Sequence, residues 1–240
     1  MYIENPKTKG SGIMCAIPQE GICPIGCDDC FFQSGRSYLE PLESNLPNMP
    51  NSNNMKVFRI NDGNDSNNNQ KLVMESTFKY KHRFYNTSII KNLDKFNAPV
   101  VLTVNPKDKT DIDFNIVEKI PNIMFVRIRT NTWNVIPVVD YAVKYYSGIE
   151  VPIVLTFMAY HDESYIPVAH KDDYIFRERT LNSYWAITTK AWREIMNRYE
   201  DNIWVYSCGK IEGEKGKTSC SRCGNCLREY YVTMCRINNN

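Results

Sequence analysis

The sequence predicts an α/β fold built on a parallel sheet, on three observations. Short runs rich in β-branched and apolar residues recur along the chain, several of them continuous rather than alternating, which suits strands covered on both faces. Segments of helical period lie between them. Strand and helix patterns alternate, and repeated strand–helix units wind into a parallel sheet or a barrel through right-handed crossovers.

Six strands are expected in order: Gly12 to Ile17, Lys56 to Ile60, Pro99 to Val104, Ile123 to Arg129, Val151 to Ala159 and Ile203 to Ser207. Asp111 to Ile120 has an acidic start and apolar positions at Phe114, Val117 and Ile120, and reads as one crossover helix. Val138, Val139, Ala142, Val143 and Tyr146 form the stripe of a second. From Tyr174 to Tyr199, Leu181, Tyr184, Trp185, Thr188, Trp192, Ile195, Met196 and Tyr199 share helical spacing and predict a long helix with a core-facing aromatic side. Two stretches resist the pattern. Pro41, Pro47 and Pro50 leave little room for regular helix between Phe31 and Met55, and Asn61 to Asn69 reads as an exposed Asn-rich loop.

The 240 residues are 42% hydrophobic, with 29 Lys and Arg against 27 Asp and Glu. That suits one globular domain with a small appendage, here 1–207 and 208–240, and a net charge of +2 creates no field that would by itself gather nucleic acid. No apolar run is long enough to span a membrane, and no secretory leader is legible, so a reducing cytoplasm is the expected compartment. The nine cysteines fall into two groups with none from 31 to 207, and in such a compartment clustered thiols hold metal or do redox chemistry.

Cys23, Cys27 and Cys30 stand at C-x3-C-x2-C in a Gly- and Pro-containing loop directly after the first strand. Three thiolates are one short of a closed zinc site, but they suit an iron–sulfur cluster with one open iron. Cys15 could be a fourth ligand if the loop folds back, or a buried small residue of the core. Cys208, Cys220, Cys223 and Cys226 supply four thiols, enough to close a zinc site or a second cluster, with Cys235 trailing; Gly209 to Ser219 between them reads as a turn or short hairpin. At later strand ends, Thr103, Asn105, Arg127, Arg129 and Thr156 stand where α/β barrels place their sites.

The cysteine spacing after the first strand, followed by β/α units, resembles the radical S-adenosylmethionine superfamily over about residues 11–207. The resemblance implies a partial (β/α)6 barrel, a [4Fe–4S] cluster on Cys23, Cys27 and Cys30, and S-adenosylmethionine chelated to its open iron. Asp29 departs from the aromatic residue usual before the third cysteine; Phe31 and Phe32 follow it instead. After the second strand, Arg59-Ile60-Asn61-Asp62-Gly63-Asn64-Asp65 lacks the family's Gly-Gly-Glu-Pro-like turn. It is similar to the Arg-x-His-Asp-Ser-Gly-Asp stretch of small phage and mobile-element members, with Arg59, Asp62 and Asp65 in register. In that setting Asn61, Asp62 and Gly63 would meet the cofactor's ammonium group; otherwise they form a plain turn. Thr103, Asn105, Arg127, Arg129 and Thr156 would contact its ribose and carboxylate or the substrate. The implied reaction is one-electron cleavage of S-adenosylmethionine to methionine and a 5′-deoxyadenosyl radical, which takes a hydrogen atom from a substrate of open class. Its partner would be a one-electron reductant such as flavodoxin or ferredoxin. The four C-terminal cysteines resemble a shortened auxiliary-cluster extension, with zinc as the alternative.

A rival expectation is a non-catalytic zinc module touching nucleic acid through the basic–aromatic run Phe78 to Tyr85, which reads otherwise as a solvated helix face or edge segment. His161-Asp-Glu163 with Cys220 and Cys223 is a poor zinc-deaminase match, because no proline precedes Cys220.

Overall fold

A computed structural model of the chain describes residues 1–27, 30, 32, 37–105, 120–178, 183–209 and 220–239. Among them, seven strands form one parallel sheet: β1 (Ile13–Ala16), β2 (Val57–Ile60), β3 (Arg83–Thr87), β4 (Val100–Val104), β5 (Ile123–Thr130), β6 (Ile153–Phe157) and, after the elements below, β10 (Val205–Ser207). The α/β expectation is met, with seven strands in place of six. The spatial order is the chain order, and every neighbouring pair is parallel. β1 and β10 remain the two edges, so no closed barrel is seen.

A sheet whose neighbours follow chain order keeps its crossovers on one face. Helices α2 (Gln70–Thr77), α3 (Asp140–Gly148) and α4 (Thr189–Asn197) lie there; α1 (Leu42–Asn45) is a single turn. Val73, Ala142, Val143, Tyr146, Trp192 and Ile195 pack on Ile60, Tyr85, Leu102, Ile128 and Leu155, which alternate onto the same side. The stripe from Val138 to Tyr146 is buried as its spacing predicts, and α4 begins where the Thr188 hydroxyl accepts from Ala191 N at 3.2 Å.

The opposite face is covered by the C-terminal segment: α5 (Cys220–Cys223) leads into α6 (Asn225–Asn238). Tyr230, Leu227 and Met234 of α6 pack on Val57, Phe84, Val101, Phe125 and Val154. Cys208 and α6 are thus laid against the sheet. The approach is close: Gly12 faces Leu227, and the Cys220 amide donates to Lys7 O at 3.1 Å.

Three expectations need correction. The long helix from Tyr174 to Tyr199 is replaced by strands β8 (Tyr174–Arg177) and β9 (Tyr184–Ile187), then α4; with β7 (Ala159–Tyr160) they form a small antiparallel sheet. The aromatic spacing fits a helix, but Phe176 meets Trp185 and Tyr160 meets Tyr174 across strands. The run Phe78 to Tyr85 is solvated only in its first part, where Phe78, Lys79 and Lys81 are exposed after α2; Arg83, Phe84 and Tyr85 belong to β3, in the sheet interior, where Phe84 and Tyr85 are fully buried. Arg83 is buried with them because Nε donates to Tyr85 OH at 2.9 Å, Nη1 to Tyr80 O at 2.7 Å and Nη2 to Asn97 Oδ1 at 3.0 Å. The loop from Asn61 to Asn69 is not all exposed: Asn61, Asp65 and Ser66 are buried, since their side chains tie β2 to β3. The expected helix at Asp111 to Ile120 and the expected turn at Gly209 to Ser219 lie almost wholly outside the described residues. Among the described residues no helix is long and apolar enough to cross a membrane.

Candidate metal and cofactor site

Most of the sequence-predicted site residues stand near or beyond the C-terminal edge of the parallel sheet, whereas Cys220, Cys223 and Cys226 lie on α5 and α6. Cys23, Cys27 and Cys30 follow β1; Asn61, Asp62 and Gly63 follow β2; Thr103 and Asn105 end β4; Arg127 and Arg129 end β5; Thr156 ends β6; Cys208 follows β10.

The triad loop turns at Gly26, whose φ of 60° is left-handed and favours glycine. Its three thiols are half-buried. Burial pushes the Cys23 thiol up; a backbone hydrogen bond at Ile25 opposes this, and Asp65, Cys27 and Cys30 add to it. Cys27 Sγ lies 4.0 Å from Ser88 Oγ. Asp65 ties the end of β3 to this region, accepting from Thr87 Oγ1 at 2.7 Å, Ser88 N at 2.6 Å and Ser88 Oγ at 3.0 Å. Among the described residues no three His, Cys, Asp or Glu side chains are placed so that they could hold one metal ion. The donor chemistry of the loop still suits iron: three thiols with no histidine among them.

After β2, Asp62 is engaged internally. Its Oδ1 lies 2.5 Å from Arg59 Nη2 and its Oδ2 accepts from Asn5 Nδ2. Burial raises the carboxyl, but Arg59 and Asn5 outweigh it and hold Asp62 below the usual carboxylate range. Arg59 Nη2 also reaches Cys15 Sγ at 3.3 Å. Cys15 itself is fully buried in β1, and burial pushes its thiol far up, so it stays protonated in the core. Gly63 lies under the Phe32 ring, where an added Cβ would come within 2.1 Å of the ring carbons. Gly63→Ala is therefore expected to destabilise the chain by about 1–3 kcal/mol, with much of the loss recovered in the Phe32→Leu background; urea unfolding of the four variants measures it.

Three asparagines at neighbouring strand ends have buried side-chain oxygens without a partner: Asn61 Oδ1, Asn86 Oδ1 and Asn105 Oδ1. The Asn86 amide is oriented by its Nδ2, which donates to Ile60 O at 2.9 Å, and the Asn61 amide by Nδ2 donating to Ser66 Oγ at 3.2 Å. Their oxygens are thus unfilled acceptors beyond β2, in β3 and beyond β4. Buried acceptors are normally satisfied, so a row of three marks a place for donors.

At the other side of the edge, the Cys208 amide donates to Leu155 O at 2.8 Å, which seats the residue beside β6. Cys223 ends α5 and Cys226 lies in the first turn of α6, separated by Gly224 at φ 66°. The Cys223 sulfur accepts a backbone N–H from Gly209 at 3.3 Å. The interaction with Cys223 lowers the Cys208 thiol against the cost of burial, helped by Arg127 and Thr156, while the same interaction and burial raise Cys223. Burial pushes Cys226 up to about 11, with Arg127 and Arg59 opposing. Burial also raises Cys220. Thr156 Oγ1, which makes no hydrogen bond of ordinary geometry, faces Cys208. Thr103 pairs with Arg127, and Arg129 with Thr156, in the strand register. Cys235 is exposed on α6.

Sequence reasoning placed Arg59 in register with Asp62 without giving it a role, and missed Asn5 and Asn86 as members of this region. Neither asparagine had a sequence signal. No protein-family model matches the chain, and no curated protein or solved structure matches it either.

Proposed function

We propose that the chain is a radical S-adenosylmethionine enzyme acting at the C-terminal edge of its parallel sheet, and that this sheet is a partial (β/α)6-type barrel extended by one strand. The observation that carries the reading is a conjunction: the C-x3-C-x2-C loop follows β1, and unfilled acceptors at Asn61, Asn86 and Asn105 lie at the same edge.

In this reading Cys23, Cys27 and Cys30 hold a [4Fe–4S] cluster, which when bound supplies one electron to S-adenosylmethionine, itself renewed by a reductant such as flavodoxin or ferredoxin. The asparagine oxygens accept N–H and O–H donors of the cofactor. Asp62 holds Arg59 and Asn5 in place, so its contribution is to position the turn rather than to meet an ammonium group directly. The apolar face formed by Phe84, Val101, Phe125 and Val154 keeps water away from the sheet centre. Of the basic–aromatic run behind the nucleic-acid reading, Arg83, Phe84 and Tyr85 are interior, and Phe78, Lys79 and Lys81 remain exposed.

Anaerobic purification, reconstitution with iron and sulfide, and reduction in the presence of S-adenosylmethionine test the reading. Methionine and 5′-deoxyadenosine are expected in equal amounts, with both lost in Cys27→Ser. A folded chain that binds no iron, or binds iron and leaves S-adenosylmethionine intact, overturns it.

A further inference from the structure

We propose that β8 is the seam of a symmetric dimer, in which a second copy of this chain lays its own β8 antiparallel to the first and the two small sheets join into one. This goes beyond the chemistry proposed for the cysteines and does not rest on it.

The edge is open. The small sheet has the order β7, β9, β8, so among the described residues β8 has a strand partner on one side only. Its Ile175 and Phe176 are 45% and 47% exposed. Edge strands that stay unpaired are usually blunted by proline, lysine, a bulge or an inward-pointing charge. β8, with the sequence Tyr-Ile-Phe-Arg, has no proline and no lysine, and it pairs with β9 in an unbroken register. Its one charge, Arg177, is exposed at the end of the strand.

The backbone restricts how a second copy can pair. Thr188 N donates to Asp173 O at 2.7 Å, which makes these two a hydrogen-bonded pair of the β8–β9 ladder. Such pairs alternate along an antiparallel ladder, so Ile175 and Arg177 also turn their N–H and C=O toward β9, while Tyr174 and Phe176 turn theirs outward. The Tyr174 amide accordingly donates away from β9, to Lys171 O. A second β8 must therefore set its own Tyr174 and Phe176 against these outward groups. With the two-fold axis at Ile175, Phe176 N of each copy donates to the partner's Tyr174 O, and a carbonyl oxygen has room for a second donor.

Charge selects this register from the others of the same parity. Asp173, Ile175 and Arg177 share the strand face opposite to Tyr174 and Phe176. An axis at Ile175 places Asp173 directly opposite the partner's Arg177, and Arg177 opposite the partner's Asp173. Both are non-hydrogen-bonded pairs, whose Cα atoms stand only about 4.5 Å apart, so the side chains meet. An axis at Tyr174 would set Asp173 against Ile175, and one at Phe176 would set Arg177 against Ile175. Asp173 Oδ2 also lies 3.3 Å from His170 Nδ1, and a carboxylate accepts from several donors at once. The seam is thus self-complementary, as a two-fold interface requires.

Sedimentation equilibrium of the full chain in reducing buffer, up to about 100 μM, is expected to show monomers in exchange with dimers. Asp173→Arg and Arg177→Asp are each expected to weaken the dimer about tenfold or more, because like charges then face each other at both ends of the seam. Mixed in equal amounts, the two variants are expected to form a heterodimer, since each end again brings opposite charges together. Ile175→Lys sets two ammonium groups against each other at the axis and is expected to leave monomer. A wild-type chain that stays monomeric overturns the proposal, as does a dimer that Ile175→Lys leaves intact. So do charge variants that associate no better mixed than alone. If circular dichroism shows that Asp173→Arg does not fold, the exposed positions decide: loss of the dimer in both Arg177→Asp and Ile175→Lys supports the seam, and a dimer retained in either overturns it.

Discussion

Replacing Arg59 with methionine is expected to cost about 3–5 kcal/mol of stability, read by urea unfolding at neutral pH. The two side chains of the pair are only 10% and 16% exposed, so the variant leaves Asp62 charged in a place that excludes water. Removing both partners in Arg59→Met/Asp62→Asn should recover most of the loss, because no uncompensated charge remains. The pH dependence distinguishes this cause from lost packing. In the native chain Asp62 is held below its ordinary value, so the pair stabilises fully above the unfolded carboxyl pKa of about 3.9, and that stability is lost as pH falls through the lowered folded value. In Arg59→Met the sign reverses. Burial without the cation raises the carboxyl, Asp62 takes up a proton on acidification, and the gap to wild type narrows toward acid pH.

Phe84→Ala is the second large effect, also about 3–5 kcal/mol. Phe84 is fully buried in the middle of β3, with β2 and β4 paired on either side. Its ring centroid lies 6.4 Å from that of Tyr230, which makes it a main contact between the sheet and α6. Truncation therefore opens a cavity beneath the helix. Hydrogen exchange over residues 225–238 should accelerate more than exchange in α3, which packs on the other face. Equal acceleration in both helices would mean that Phe84 supports the whole sheet rather than the α6 contact.

Strands were legible from sequence where apolar residues run on continuously, as in Val100–Val104 and Ile153–Phe157. β3 was not, because Arg83 and Asn86 interrupt its pattern. Both are buried only because Tyr80, Asn97 and Ile60, supplied by other segments, satisfy them. Local pattern carries no record of such partners. The helix predicted through Tyr174 failed for a related reason: aromatic residues at i, i+3 and i+4 also suit a hairpin when an opposing strand supplies their neighbours. The true start, Thr188, was marked by an N-cap side chain. In the site, cysteine spacing was legible because it is local. The packing of Cys208 and Cys226 on the Phe125 face of the sheet was not, since those thiols come from a segment at least 80 residues later and only folding brings them there. Asp62 was expected to meet the cofactor's ammonium group; it is instead paired with Arg59, three residues earlier, across the sharp turn at Asn61, whose φ is 59°.

The cover supplied by α6 also has a cost in time. His82, at the start of the central strands, waits for Tyr230, 148 residues later, before the contact between them can form. At ribosomal speeds of about 5–20 residues per second that is roughly 7–30 s over which the growing sheet, joined in turn by Phe84, Val101, Phe125 and Val154, has one apolar side wet. A growing chain with this architecture is a natural client for a holding chaperone. A chain truncated before α6 would keep that side exposed and aggregate.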